Sequence, residues 1–73
     1  MPFVDIKVVE DVFTHDEKRD AIQRVSEVLL DTWGEGMRKA THVVITETPS
    51  GEWAVGGKPL TADDVKQEMR SSS

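Results

Sequence analysis

The sequence predicts an α+β fold: a β-α-β unit with parallel strands, then a short third strand, with the sheet completed by oligomerisation. Three patterns point to it. Apolar residues alternate with a period of two from Phe3, recur at helical spacing from Ala21 to Trp33, and give way to a β-branched run at Thr41 to Thr46. A strand, a long helix and a second strand fit a right-handed crossover, which leaves the two strands parallel. One helix covers one face of such a sheet. The other face, carrying Phe3 and Val9 if the alternation holds, must meet solvent or other subunits. Size argues for subunits. The chain has 73 residues and no cysteine, and a chain so short buries only about 60% of the surface its unfolded form exposes. With no disulfide and no Cys/His cluster for a structural metal, association is the remaining usual route to stability.

Val4, Ile6 and Val8 fall on one side of the first strand, Asp5 and Lys7 on the other. Thr14-His15-Asp16-Glu17 places an N-cap threonine three residues before a glutamate, so each side chain can satisfy an amide exposed at the helix start. Ala21, Ile22, Val25, Val28, Leu29 and Trp33 form the apolar stripe of that helix, and its charged residues fall mostly opposite. Gly34 and Gly36 supply a left-handed stop. After the second strand, Pro49-Ser50-Gly51 is turn chemistry, and Glu52 to Val55 reads as a third strand ended by Gly56-Gly57. Thr61 to Asp64 can cap a brief helix from Asp63 to about Met69, and the tail from Ser71 to Ser73 is expected to fray. No repeat or linker divides the chain. It reads as a single domain over residues 1–73, with residues 59–73 a C-terminal extension.

Nine Lys+Arg against fourteen Asp+Glu give a net charge of −5, with the cations scattered. Phosphate backbones need clustered cations, so nucleic acid is excluded as a partner. No apolar run approaches the roughly 20 residues that span a bilayer, and no leader pattern opens the chain, so no membrane partner and a cytoplasmic location are expected. Gly56-Gly57 lack the flanking glycines and lysine of a phosphate loop. His15 and His42 are the only histidines and form no i, i+4 ligand pair, so neither a metal nor another cofactor is expected. A serine or cysteine triad fails too, for want of a thiol or a nucleophile elbow.

What remains is Pro2, directly after the initiator methionine and at the start of a strand. Removal of Met1 would expose a secondary amine able to act as a base, an acid or a nucleophile. The plainer reading is a strand-edge proline whose missing N–H is harmless there. Met-Pro ahead of a strand, the helix segment Arg24-Val25-Ser26-Glu27-Val28, the strand Val43-Val44-Ile45-Thr46-Glu47 and the run Gly51-Glu52-Trp53-Ala54-Val55-Gly56-Gly57 together resemble the 4-oxalocrotonate tautomerase family over residues 2 to about 58.

The resemblance implies a β-α-β unit with a short C-terminal β-hairpin, assembled as a homo-hexamer, a trimer of dimers. It also implies an isomerase whose amino-terminal proline moves a proton between an enol and its keto form. Pro2 matches the catalytic proline. Trp53 stands where the family usually has phenylalanine, an aromatic wall; a dry wall disfavours a protonated amine and so favours the base. Phe3 would extend that wall. The two arginines that grip dicarboxylates in the family have no counterpart: the loop position falls on Val12 or Phe13, the strand position on His42. His42 could bind the carbonyl or carboxylate end of a substrate, or could simply decorate the strand. Arg38 and Lys39, just before that strand, could replace the lost charge. The substrate expected is therefore a small enol, keto acid or aldehyde rather than a dicarboxylate. The alternatives are a Pro-dependent hydratase, dehalogenase or decarboxylase, and a non-catalytic subunit of a hetero-oligomer.

Overall fold

The alternation at the amino terminus becomes β1, Phe3–Val9, in a computed structural model that describes residues 2–71. Met1 and the end of the expected frayed tail lie outside the described residues. β1 leads through Asp11, held at φ 63°, into α1, His15–Trp33. The helix opens on the capping box its sequence requires. The Glu17 N–H donates to Thr14 Oγ1 at 3.1 Å, and the Thr14 N–H donates back to Glu17 Oε1 at 2.8 Å. It closes at Gly34, whose φ of 106° suits a residue without Cβ and whose N–H donates to the Leu30 carbonyl at 2.7 Å.

Between Gly34 and β2 the chain forms a 3-10 helix, Glu35–Ala40, for which the sequence pattern offers no periodicity. Arg38 fastens it, bonding Glu35 within the turn and Glu27 on α1. β2, His42–Thr48, then lies parallel to β1 in a register that pairs Phe3 with His42 and Val9 with Thr48. The β-α-β crossover of the sequence reading is therefore present.

β3, Trp53–Val55, and β4, Lys58–Leu60, form an antiparallel hairpin, a sheet separate from β1–β2. Gly56 and Gly57 end the third strand, as expected, and turn the chain back into β4. Their φ values of 60° and 84° are the two successive positive angles that a tight two-residue turn needs. α2, Ala62–Ser71, starts one residue before the expected helix and runs past Met69. Its cap is reciprocal: Asp64 N–H to Thr61 Oγ1 at 3.2 Å and Thr61 N–H to Asp64 Oδ2 at 3.0 Å.

α1 covers the sheet face of Val4, Ile6, Val8, Val43 and Ile45, all half-buried. Val9 and Leu30 alone among the described residues are buried hydrophobics. The alternation groups Val9 with Phe3, yet Val9 is 6% exposed and Phe3 64%, because the two lie at opposite ends of the strand. Val28 and Trp33, assigned to the apolar stripe of α1, stay exposed too. A compact chain of this length has a radius of gyration near 11 Å; here it is 14.8 Å, with extents of 42 × 24 × 20 Å. Apolar surface is thus left without cover inside one protomer. No helix among the described residues is long and apolar enough to cross a membrane.

Candidate active site

Parallel pairing brings the two strand starts together. The His42 N–H donates to the Pro2 carbonyl at 3.0 Å, which anchors the backbone of the half-buried Pro2 directly to the second strand. One position on, the rings of Phe3 and His42 stack across the register with centroids 6.5 Å apart and planes 23° from parallel. Pro2 and Phe3, adjacent in sequence, and the distant His42 therefore form one cluster at the amino end of the sheet. The Phe3 and His42 side chains lie on the face that α1 leaves open.

Trp53 does not join this cluster through its own chain's sheet. β2, seven residues long, ends at Thr48, and the hairpin carrying half-buried Trp53 departs from that end, far from His42. Seven strand residues span roughly 20 Å. Within the hairpin, Trp53 stands opposite Leu60.

Arg38 is committed elsewhere. Its guanidinium contacts both Glu27, at 3.1 Å, and Glu35, which hold its pKa above the ordinary arginine value, Glu35 contributing most. The same hydrogen bond keeps the Glu35 carboxyl below the usual carboxylate range. Arg38 thus binds α1 and the 3-10 helix together; Lys39 is exposed beside it. In the loop after β1, Val12 is half-buried, and Phe13 helps line a groove with Ile6, Val8, Ala21 and Ile45. Neither position presents a cation. Glu10 is a structural group, its Oε1 accepting from the Ser50 N–H at 3.2 Å, while Glu52 and His15 are exposed.

Further along the open face, Asp5 Oδ1 accepts from Thr46 Oγ1 at 2.7 Å and Asp5 Oδ2 contacts Lys7 Nζ at 2.9 Å. These two hydrogen bonds, Thr46 first and Lys7 second, lower the Asp5 pKa. The sequence reading left this polar strip without a role, although the alternation had placed Asp5 and Lys7 on one side. Among the described residues no group of three or more His, Cys, Asp or Glu side chains could hold a metal ion. The amino end thus sets the strand-terminal Pro2 beside two rings, one of them an imidazole able to donate or accept a hydrogen bond.

Comparison with known proteins shows the family. The family described as "Tautomerase enzyme" matches residues 2–63. The chain is 36% identical over 61 residues to a protein of Dickeya dadantii (strain 3937) named "Probable tautomerase K2", spanning 84% of this chain and 90% of that one. Among solved structures it is similar to one from a kinetic and structural characterisation of the 4-oxalocrotonate tautomerase isozymes of Methylibium petroleiphilum. That likeness has a TM-score of 0.69 at 26% identity and covers 88% of this chain and 97% of the other.

Proposed function

Because the chain belongs to the tautomerase family, we propose that it catalyses keto-enol or double-bond proton transfer on a small carbonyl compound, with Pro2 as the base. One observation carries this reading: the β1–β2 register that sets His42 against the Pro2 carbonyl and beside the Phe3 ring. Loss of Met1 frees the Pro2 nitrogen as a secondary amine. In its neutral form the amine takes a proton from an enol oxygen or an α-carbon and returns it to another carbon. His42, close by, polarises the carbonyl end. Phe3 supplies part of the apolar wall that keeps the amine neutral.

Trp53, placed away from its own Pro2, completes the wall of a neighbouring copy within a homo-hexamer built as a trimer of dimers. That assembly also covers the apolar surface one protomer leaves open. With neutral residues at 12 and 13, His42 at the strand position and Arg38 tied to two glutamates, the site favours monoacids, aldehydes and aryl-substituted enols over dicarboxylates. The site is one of a cytoplasmic enzyme that needs no cofactor.

The test is an intact mass of the purified protein, followed on the same sample by enol-to-keto conversion of an arylpyruvate and of a 2-hydroxydienoate. Conversion that requires free Pro2, falls about 10²- to 10⁴-fold in Pro2→Ala and rises with pH through the proline pKa supports the base role. Rate that falls with rising pH assigns Pro2 an acid role instead, as in a hydratase, dehalogenase or decarboxylase. No conversion despite a free proline favours a non-catalytic subunit of a hetero-oligomer, the reading that the commitment of Arg38 supports.

A further inference from the structure

β2 follows the 3-10 helix after one residue, Thr41, and its first residue is His42. The chain that leads there has a pivot. Gly34 sits at φ 106° with nothing within 4 Å of where a Cβ would stand, so the backbone meets no side-chain stop at that point. Beyond the pivot the segment is bonded within itself: the Met37 N–H donates to the Gly34 carbonyl at 3.1 Å, and Thr41 Oγ1 donates to the Met37 carbonyl at 2.8 Å. Residues 35–41 therefore move as one piece, and His42 moves with them.

The Arg38 guanidinium ties that piece to α1. Its Nη1 and Nη2 donate to the two carboxylate oxygens of Glu27 at 3.1 and 3.4 Å, while Nε and Nη2 donate to those of Glu35. Glu35 belongs to the same turn, so its bonds shape the segment; Glu27 belongs to α1, so its bonds decide where the segment sits. Glu27 and Arg38 line, with Ser26, Thr41 and Val43, the cleft between α1 and the start of β2. A planar guanidinium grips two carboxylates along two edges, which fixes direction as well as distance. The Arg38 and Glu27 side chains are 51% and 55% exposed, and an ion pair so exposed adds little to global stability. Its effect is local, and it falls on the end rung of the sheet, where the His42 N–H meets the Pro2 carbonyl at 3.0 Å and the His42 ring meets Phe3. End rungs open more readily than the middle of a strand, so what steadies the entry to β2 steadies this contact most.

We infer that Arg38 is a positioning residue for the Pro2 site: through Glu27 it aims the start of β2 and so holds His42 in register with Pro2 and Phe3. Arg38 touches no substrate in this role. The kinetic consequence rests on the proton-transfer reading proposed above; the structural consequence does not.

Amide hydrogen exchange of the full chain, read at His42 and at Glu10, tests the register. The Glu10 N–H, bonded to the Thr48 carbonyl, reports the opposite end of the same sheet and is the control. Arg38→Met should speed His42 exchange about tenfold and leave Glu10 unchanged, with little shift in thermal midpoint. Glu27→Gln should do the same. Exchanging the pair, Glu27→Arg with Arg38→Glu, should restore slow exchange at His42. In the keto-enol assay Arg38→Met should lower kcat about fivefold with KM nearly unchanged, and the exchanged pair should recover it; a merely structural role would lower the thermal midpoint instead. A chain inactive in every form would sink the proton-transfer reading and leave the exchange result to decide the positioning. Unchanged His42 exchange in Arg38→Met, equal acceleration at Glu10, faster exchange in Glu35→Gln but not in Glu27→Gln, or a parental kcat in an active Arg38→Met would each overturn the inference.

Discussion

At one end of β1, Phe3 is 64% exposed and rests against His42; at the other end of the same strand, Val9 is 6% exposed. The Val9 end is closed by the chain itself. Glu10 N–H donates to the Thr48 carbonyl, Glu10 accepts from Ser50, and Ser50 accepts from Ala62. At the Phe3 end, beyond the strand pairing, the His42 N–H donates to the Pro2 carbonyl and the Phe3 and His42 rings stack. A single copy therefore secures the end from which its hairpin departs and leaves the Pro2 end, where we propose the chemistry lies, more open. Burial and the proposed chemistry separate along one strand.

The largest test of that separation pairs two substitutions. Pro2→Ala should cost about 10²- to 10⁴-fold in turnover with little change in thermal midpoint. Val9→Ala should do the reverse: about 2 kcal/mol of stability from lost burial and the cavity left behind, with turnover kept in the protein that remains folded. Denaturant melts read beside the arylpyruvate assay separate the two. If Val9→Ala lost activity without losing stability, the ends would be coupled and the comparison would break.

A smaller effect belongs to the start of α1, which follows the well-secured end. Thr14→Ala removes one half of the capping box and should cost about 1 kcal/mol in a urea melt. The smallest concerns the middle of the strand. Asp5 has a pKa depressed in the folded chain by Thr46 and Lys7, so it stabilises the fold above the unfolded carboxyl pKa near ~3.9. That contribution is lost as pH falls through the lower folded value. Thr46→Val should melt below the parent at neutral pH, with the gap closing under acid. Because Asp5 is solvated the gap is small, and a gap unchanged down to pH ~2 would show that the hydrogen bond carries no pH-linked stability.

The parts legible in the sequence are those written in neighbouring residues. Alternation from Phe3, the Thr14–Glu17 spacing and the β-branched run before Thr46 each act over a few positions, and each produced its element. Pro2, Phe3 and His42 were each singled out in the sequence, but that Phe3 and His42 meet is set by the strand register, which the sequence did not show. The 3-10 helix was less legible, because the partner of Arg38 on α1, Glu27, is eleven residues away and only folding shows that they meet. Gly56-Gly57 marked a turn correctly, but composition did not show that Lys58-Pro59-Leu60 would pair back across it.

The parallel register also fixes an order of events. Phe3 pairs with His42, a separation of 42 − 3 = 39 residues, so β1 leaves the ribosome long before its partner exists. α1 lies wholly between them and carries its own start and stop signals, so it can form while β1 still waits. During that interval β1 is an unpaired strand, and its alternate charges, Asp5 and Lys7, are what discourages it from pairing with another nascent chain. The salt bridge they later make on the open face is thus a second use of charges whose first task falls before the sheet is built.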